Sequence, residues 1–283
     1  MEIKKVGVVG CGQMGGGIAQ VCAQSGYPVV VSEINDELLN KGLASINAVL
    51  TRSVEKERIS QEDKEATLGR IKATTDMKDF ADCDLVIEAV VENMGLKKKI
   101  FVELDKICPK HAILATNTSC LSVIDMATVT AKPEKMLGLH FSNPVPVMKI
   151  LEIVRTVITS DETLETGQSF GTAIGKTIVV AKDAPGFILN RLLFTFLLNA
   201  IRMLEDGVAT KEDIDTAVNL GLNHPMGPLT LADLIGLDTC LFIADSIYEE
   251  LKDPQYVAPT LLKKMVTAGW FGRKTGKGFY EYK

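Results

Sequence analysis

Several features are scarce in this 283-residue sequence, and each scarcity removes a class of function. Positive charge is not in excess. The 31 Lys and Arg stand against 36 Asp and Glu, a formal net charge of −5, and no basic block occurs. No nucleic-acid partner is expected, because such proteins carry a cationic surface that neutralises phosphates. Long apolar runs are also missing. The longest, Leu192 to Ile201, falls short of the roughly 20 residues that cross a bilayer. It is flanked by Asn190, Arg191 and Arg202, and reads as a buried helix. The opening Met1-Glu2-Ile3-Lys4-Lys5 is no signal segment, so a cytoplasmic protein without a membrane partner is expected. Cysteines 11, 22, 83, 108, 120 and 240 are scattered, with no C-x-x-C pair among them. That pattern suits free thiols packed as small hydrophobes in a reducing compartment, and predicts no metal site. What remains, 46% hydrophobic and 24% charged residues, is ordinary for a globular chain long enough to hold two cores.

The most informative stretch lies at the beginning. Lys4 to Val9 is a short apolar β-type run that breaks into Gly10-Cys11-Gly12-Gln13-Met14-Gly15. A helical segment follows, then a second β run from Pro28 to Val31 that ends at Ser32-Glu33. Strand, G-x-G-x-x-G turn, helix, strand and acid in about 30 residues form a dinucleotide-binding unit. Gly10 allows the tight turn, Gly12 lets the backbone approach a pyrophosphate, and Gly15 brings helix and strand together. The helix N-terminus offers unpaired N–H groups and a positive dipole end to the phosphates. Glu33 stands where a carboxylate accepts hydrogen bonds from both adenosine ribose hydroxyls. A purely structural βαβ turn leaves that terminal acid unexplained.

Downstream, Asn35-Asp36-Glu37 signals a helix start, and a helical pattern runs from Leu38 to about Ile59. With the polar Gln61 to Glu65 it reads as a solvated helical hairpin. Ile71 to Thr75 suggests an edge strand, and Asp84 to Val91 a buried parallel strand ending at Glu92-Asn93. Leu96 to Ile107 is helical, and Ala112 to Ala115 is another strand. Each strand is followed by a helix, as a doubly wound parallel sheet requires.

Two loops at strand ends stand out, because such sheets bind ligands beyond the carboxyl ends of their strands. The first is Thr116-Asn117-Thr118-Ser119-Cys120, which either contacts a ligand or simply caps a helix beginning near Leu121. The second, Gly138 to Pro144, closes a strand from Lys135 to Leu139 and contains His140, one of only three histidines. The next strand, Lys149 to Arg155, places Ile150, Glu152 and Val154 on one face. A carboxylate between two aliphatics is costly to bury without a partner, and His140 lies just across the loop. An imidazole held by a carboxylate is a common acid/base arrangement. The bland alternative is an edge-strand glutamate facing water.

Thr177 to Ala181 closes a first domain, and Asp183-Ala184-Pro185-Gly186 is a hinge. We therefore expect an α/β Rossmann-type doubly wound sheet domain over 1–183 and an all-α domain over 184–283. In the second, Phe187 to Asp206, Lys211 to Leu220, Leu229 to Glu250 and Tyr256 to Ala268 read as helices. Phe187 to Asp206 is apolar on most faces, which predicts a bundle core plus a homodimer surface. The glycine-rich end, Gly269 to Tyr280, carries three cations. It is either a folded tail or part of a phosphate site.

With these residues in view, the chain resembles the short-chain L-3-hydroxyacyl-CoA dehydrogenase family, most of all its bacterial 3-hydroxybutyryl-CoA branch. The motifs are G-C-G-Q-M-G-G-G-I-A-Q, V-I-E-A-V-V-E, A-T-N-T-S, G-L-H-F-S-N-P-V-P-V-M-K-I-L-E-I-V, D-A-P-G-F-I-L-N-R, N-H-P-M-G-P-L and G-R-K-T-G-K-G-F-Y. The resemblance implies His140 as catalytic acid/base, Glu152 as its orienting partner, and Ser119 and Asn190 on the substrate oxygen. It implies NAD(H) contacts at Glu92, Lys97, Ser119, Asn143 and Lys274, beside the turn residues Gly10, Gly12, Gln13, Met14, Gly15 and Glu33. Thr51, Ser53 and Lys56 in the hairpin are the nearest candidates for contacts to an acyl-CoA substrate. The sequence departs from the family at Glu33, where most members carry Asp. The implied reaction is reversible oxidation of a short L-3-hydroxyacyl-CoA to the 3-ketoacyl-CoA. A non-catalytic dinucleotide-binding protein and a dehydrogenase of a free 3-hydroxy acid are the competing readings.

Overall fold

The computed structural model describes residues 1–282 and divides into two compact units, Met1–Ala184 and Pro185–Lys283. The first is built on eight strands: β1 Val6–Val9, β2 Val29–Ser32, β3 Ile71–Thr74, β4 Leu85–Glu88, β5 Ile113–Thr116, β6 Met136–Phe141, β7 Ile150–Arg155 and β8 Thr177–Lys182. They form one sheet in the order β3-β2-β1-β4-β5-β6-β7-β8. The right-handed crossovers expected of such units are supplied by α1 Gln13–Gln24, α2 Asp36–Glu55, α3 Gln61–Gly69, α4 Met94–Ile107, α5 Val123–Ala127 and α6 Asp161–Ala173.

Strand residues alternate between two cores. Val6, Val8, Val29, Val31 and Ile87 join Ile18, Ile46, Leu50 and Phe170 on one face. Val9, Val30, Val86 and Leu114 join Phe101, Leu104 and Met126 on the other. The central strands β1, β2, β4 and β5 are buried along their whole length, which is why they read as unbroken apolar runs.

Four expectations for the first unit are corrected. The sheet is not wholly parallel: β7 runs antiparallel to β6, with His140 opposite Glu152. Only eight residues separate these strands, too few for a crossover helix, so the chain turns back on itself. His140 therefore lies within β6 rather than on a loop after it. Strand β4 ends at Glu88 instead of Val91, because the Glu88 carboxylate accepts from the Val90 N–H and turns the chain. Helix α2 ends at Glu55, short of Ile59. Glu57 adopts φ 54°, and the Arg58 and Glu57 N–H groups donate back to Ser53 O and Val54 O, a Schellman stop.

The second unit contains α7 Leu189–Glu205, α8 Lys211–Gly221, α9 Pro228–Ile235, α10 Leu237–Leu251 and α11 Thr260–Thr267 around a single core of Phe194, Leu197, Leu198, Leu229, Leu237, Ile247 and Leu262. The helix expected from Leu229 to Glu250 is two helices, broken at Gly236 (φ 104°). The buried carboxylates of Asp215 and Asp233 tie the C-terminal tail down. Asp233 accepts from the Phe279 and Tyr280 N–H groups and from the Tyr282 hydroxyl, and Asp215 from the Tyr280 hydroxyl.

Candidate active site

The first unit brings three groups of residues to the carboxyl half of its sheet. The glycine turn is the first. Gly10 has φ 97°, a conformation that side chains rarely adopt, and a Cβ on Gly15 would overlap the Gly10 carbonyl. Gly12 is the N-cap of α1 with no side chain to occupy the helix N–H groups, and nothing lies within 4 Å of where its Cβ would be. An anionic backbone can thus approach the free N–H groups of a 12-residue helix. These features fit the pyrophosphate of a dinucleotide. Met14 lies in the first turn of α1, and its half-buried side chain packs against the core.

Beside the turn lies a cavity of about 610 Å³. Gly12, Gln13, Glu33 and Asn143 line it, and Gln13 Nε2 donates to Asn143 Oδ1 at 3.3 Å. The Glu33 carboxylate accepts from the Cys11 N–H (2.8 Å) and the Ile34 N–H (3.1 Å), so it braces the turn as well as facing the cavity. A carboxylate has about four acceptor positions, which leaves capacity for two hydroxyls. Burial and the Glu33 charge push the neighbouring Cys11 thiol up to about 11, which keeps it neutral.

The second group is a pair. His140 Nδ1 lies 2.6 Å from Glu152 Oε2, with side chains 9% and 1% exposed. Cross-strand register sets this contact, since the two residues are direct partners in β6 and β7.

The third group is a network behind the loop after β5. Lys97 Nζ donates to Glu88 Oε1 (2.7 Å) and lies 3.3 Å from Glu92 Oε2; Lys97 and Glu88 are fully buried. Removing one member of such a pair typically costs about 3–5 kcal/mol, because it strands the other charge. Glu92 in turn accepts from the Ser119 N–H (2.7 Å), the Ser119 hydroxyl (3.0 Å) and the Thr118 hydroxyl. Thr116 donates to the second Glu88 oxygen. The loop is not the cap of the following helix; Ser122 is. It is tied instead to β6 by Asn117, whose Oδ1 accepts from the Phe141 N–H.

Other candidates fall elsewhere. The Thr51 and Ser53 hydroxyls donate to carbonyls of their own helix, Thr51 also accepts from Lys64, and Lys56 caps α2 in solvent. The hairpin residues that line the cavity are Leu38, Lys41, Gly42, Ser45, Ile46 and Val49, one face of α2 read at spacings of three and four. That periodicity was the available signal. In the second unit Asn190 is buried in the first turn of α7, and the Lys274 ammonium is bound by Asp238 (2.8 Å) and Thr239 (2.8 Å). Among the described residues, no cluster of three or more His, Cys, Asp or Glu is placed to hold a metal, and no helix is long and apolar enough to cross a membrane.

A doubly wound sheet with an uncapped glycine turn at β1 and an acid after β2 defines a Rossmann-type dinucleotide-binding protein. Residues 5–184 match the family model of the 3-hydroxyacyl-CoA dehydrogenase NAD binding domain, and residues 186–282 that of the C-terminal domain. The chain is 47% identical to a 3-hydroxybutyryl-CoA dehydrogenase of Bradyrhizobium diazoefficiens, covering 99% of this chain and 96% of that one. Among solved structures, FadB2 of M. tuberculosis matches with a TM-score of 0.98 at 47% identity, covering both chains completely. The (S)-3-hydroxybutyryl-CoA dehydrogenase PaaH1 of Ralstonia eutropha matches with 0.96 at 43%, again over both full chains. The chain belongs to the 3-hydroxyacyl-CoA dehydrogenase family and is an NAD-dependent oxidoreductase.

Proposed function

We propose that the protein interconverts a short L-3-hydroxyacyl-CoA, 3-hydroxybutyryl-CoA, and its 3-keto partner acetoacetyl-CoA, with His140 and Glu152 as the acid/base unit. The buried 2.6 Å contact between them carries this reading. It commits Nδ1 to the carboxylate, so Nε2 is the nitrogen that exchanges a proton with the substrate oxygen. In oxidation His140 takes the hydroxyl proton, and in reduction it returns it. Glu152 holds the ring's orientation and stabilises the imidazolium. NAD supplies the hydride acceptor, and NADH the donor.

Gly10, Gly12, Gln13, Met14, Gly15, Glu33 and Asn143 hold the dinucleotide around the turn and its cavity. Glu92 and Lys97 act at the same cofactor through the network behind Ser119. Ser119 and Asn190 hold the substrate oxygen where charge develops. Because the Ser119 hydroxyl donates to Glu92 in the structure, that role requires the hydroxyl to turn toward the substrate on binding. Thr51, Ser53 and Lys56 on the hairpin, and Lys274 in the second unit, are the remaining groups assigned to the acyl-CoA and the cofactor.

A homodimer through the helical unit is supported by Leu192 and Met203, apolar α7 residues that the unit itself leaves exposed. The burial of all six cysteines suits the cytoplasm. Steady-state assay with acetoacetyl-CoA against free acetoacetate tests the substrate. We expect the thioester to be favoured by about 100-fold or more in kcat/KM, since binding energy from the CoA portion is lost with the free acid. Equal turnover of the two makes the protein a dehydrogenase of free 3-hydroxy acids.

A further inference from the structure

The loop of residues 142–149, which joins β6 to β7, is held by a lysine that the proposed chemistry leaves unused. Lys176 stands one residue before β8. Its ammonium is buried and donates to the carbonyl oxygens of Val145 (2.6 Å) and Met148 (2.7 Å). Both acceptors are neutral, and desolvation pulls the lysine pKa down. Burying an ammonium against carbonyls alone is costly, and a methionine would fill similar space without that cost. The loop explains why donors are needed. Pro144 and Pro146 carry no N–H, and the loop's own backbone bonds run from the Val147 and Met148 N–H groups to Pro144 O. Lys176 supplies from outside the donors that the loop lacks.

The loop's position matters because Asn143, Pro144, Val145, Pro146 and Val147 form one wall of the cavity beside the glycine turn. It also sits hard against α1: a Cβ on Gly17 would come within 2.9 Å of the Val145 Cβ. We propose that Lys176 is a positioning residue whose ammonium pins this loop onto the glycine turn and so shapes the dinucleotide cavity. The inference rests on reading that cavity as the cofactor site. His140 and Glu152 are held by strand register rather than by the loop, so a slack loop weakens cofactor binding and leaves turnover at saturation in place.

The test uses Lys176→Met and Lys176→Gln in the full chain, with NADH affinity read by fluorescence titration and kcat at saturating NADH and acetoacetyl-CoA. Lys176→Met should weaken NADH binding by about 5- to 20-fold, as expected for two lost charge-assisted bonds, with kcat within about twofold. Lys176→Gln, which keeps two donors, should fall between. A folded variant that binds NADH as the wild type does overturns the proposal. So does a fall in kcat with NADH affinity unchanged. If Lys176→Met does not fold, the Gln variant decides. Should neither fold, amide exchange in the wild type does: unprotected Val147 and Met148 amides would show that the loop is not pinned. A wild type that neither binds NADH nor reduces acetoacetyl-CoA defeats the cofactor-site reading itself, a result distinct from active wild type with unaltered variants.

Discussion

His140 and His111 both rest against a carboxylate, 2.6 Å from Glu152 and 2.9 Å from Asp84. The chemistry of the two pairs is the same, and their settings are opposite. His140 and Glu152 face each other across two strands near the carboxyl end of β6, with almost no exposure. Asp84 and His111 stand at the amino ends, just before β4 and β5, where the imidazole is 54% exposed. Asp84 also accepts from the Lys4 and Lys5 N–H groups, so it acts as a clamp on the chain leading into β1. A histidine–carboxylate contact is therefore no signature by itself. The rim of the sheet on which it lies and its distance from water separate the proposed acid/base unit from a surface staple.

The widest separation between the pairs should appear in turnover. His140→Gln is expected to lower kcat by roughly 10²–10⁴, with NADH binding retained, because acid/base assistance is lost while the glycine turn is untouched. Glu152→Gln should behave similarly and alter the pH profile. His111→Gln should leave kcat within about twofold. A His140 variant keeping more than half of wild-type turnover would erase the distinction between the pairs.

The two pairs also show what the sequence reveals. The glycine turn and Glu33 are legible because the unit is local and its spacings are fixed by one strand, one turn and one helix. His140 and Glu152 stand out as residue types, but their register does not, since an eight-residue connection had to be recognised as a reversal. The burial of Lys97, which the resemblance names, and of Lys176, which nothing in the sequence singles out, is the least legible. A lysine inside a polar helical stretch, or between helix and strand, reads as solvated, and only the folded chain reveals the acceptors that surround it. Gly236 is hidden for another reason. A single glycine within an apolar helical pattern is usually tolerated, and here its positive φ breaks the helix.

Glu33, unlike Glu152 and Asp84, is a carboxylate whose observed partners are backbone amides alone. It faces the cavity where the adenosine ribose is proposed to bind, held in place by the Cys11 and Ile34 N–H groups. A 2′-phosphate there meets like charge and forfeits ribose hydrogen bonds, a cost of about 2–4 kcal/mol, or roughly 30- to 1,000-fold in favour of NADH. Lys41 lines the same cavity and pulls the value toward the lower end. Glu33→Ser should raise relative use of NADPH and also raise the KM for NADH, since the brace on Cys11 is lost. Equal kcat/KM for both cofactors in the wild type would remove Glu33 as the selector.

The smallest effect concerns the outer pair, and its sign follows from Asp84. Burial alone would raise this carboxyl, but hydrogen bonds from the Lys4 N–H, from His111 and from the Lys5 N–H outweigh it and hold the folded-state pKa below the usual 3.8. The folded protein thus binds the Asp84 proton less readily than the unfolded chain does. Such a group contributes stability that is complete at pH values above the unfolded pKa and is lost as pH falls through the lower, folded one. With the side chain 18% exposed and one partner half in water, the contribution is about 1 kcal/mol. Asp84→Asn should therefore lower Tm by a few degrees at pH 7, on the order of 2–4 °C for a chain of this size. That gap should shrink as pH drops below about 4, where the wild-type carboxylate itself becomes protonated. His111→Gln should give a smaller version of the same shift, since it removes one of the three donors. Thermal melts of the three proteins from pH 7 to pH 3 check this: a gap that widens toward acid would mean that Asp84 is destabilised, not stabilised, by its place in the fold.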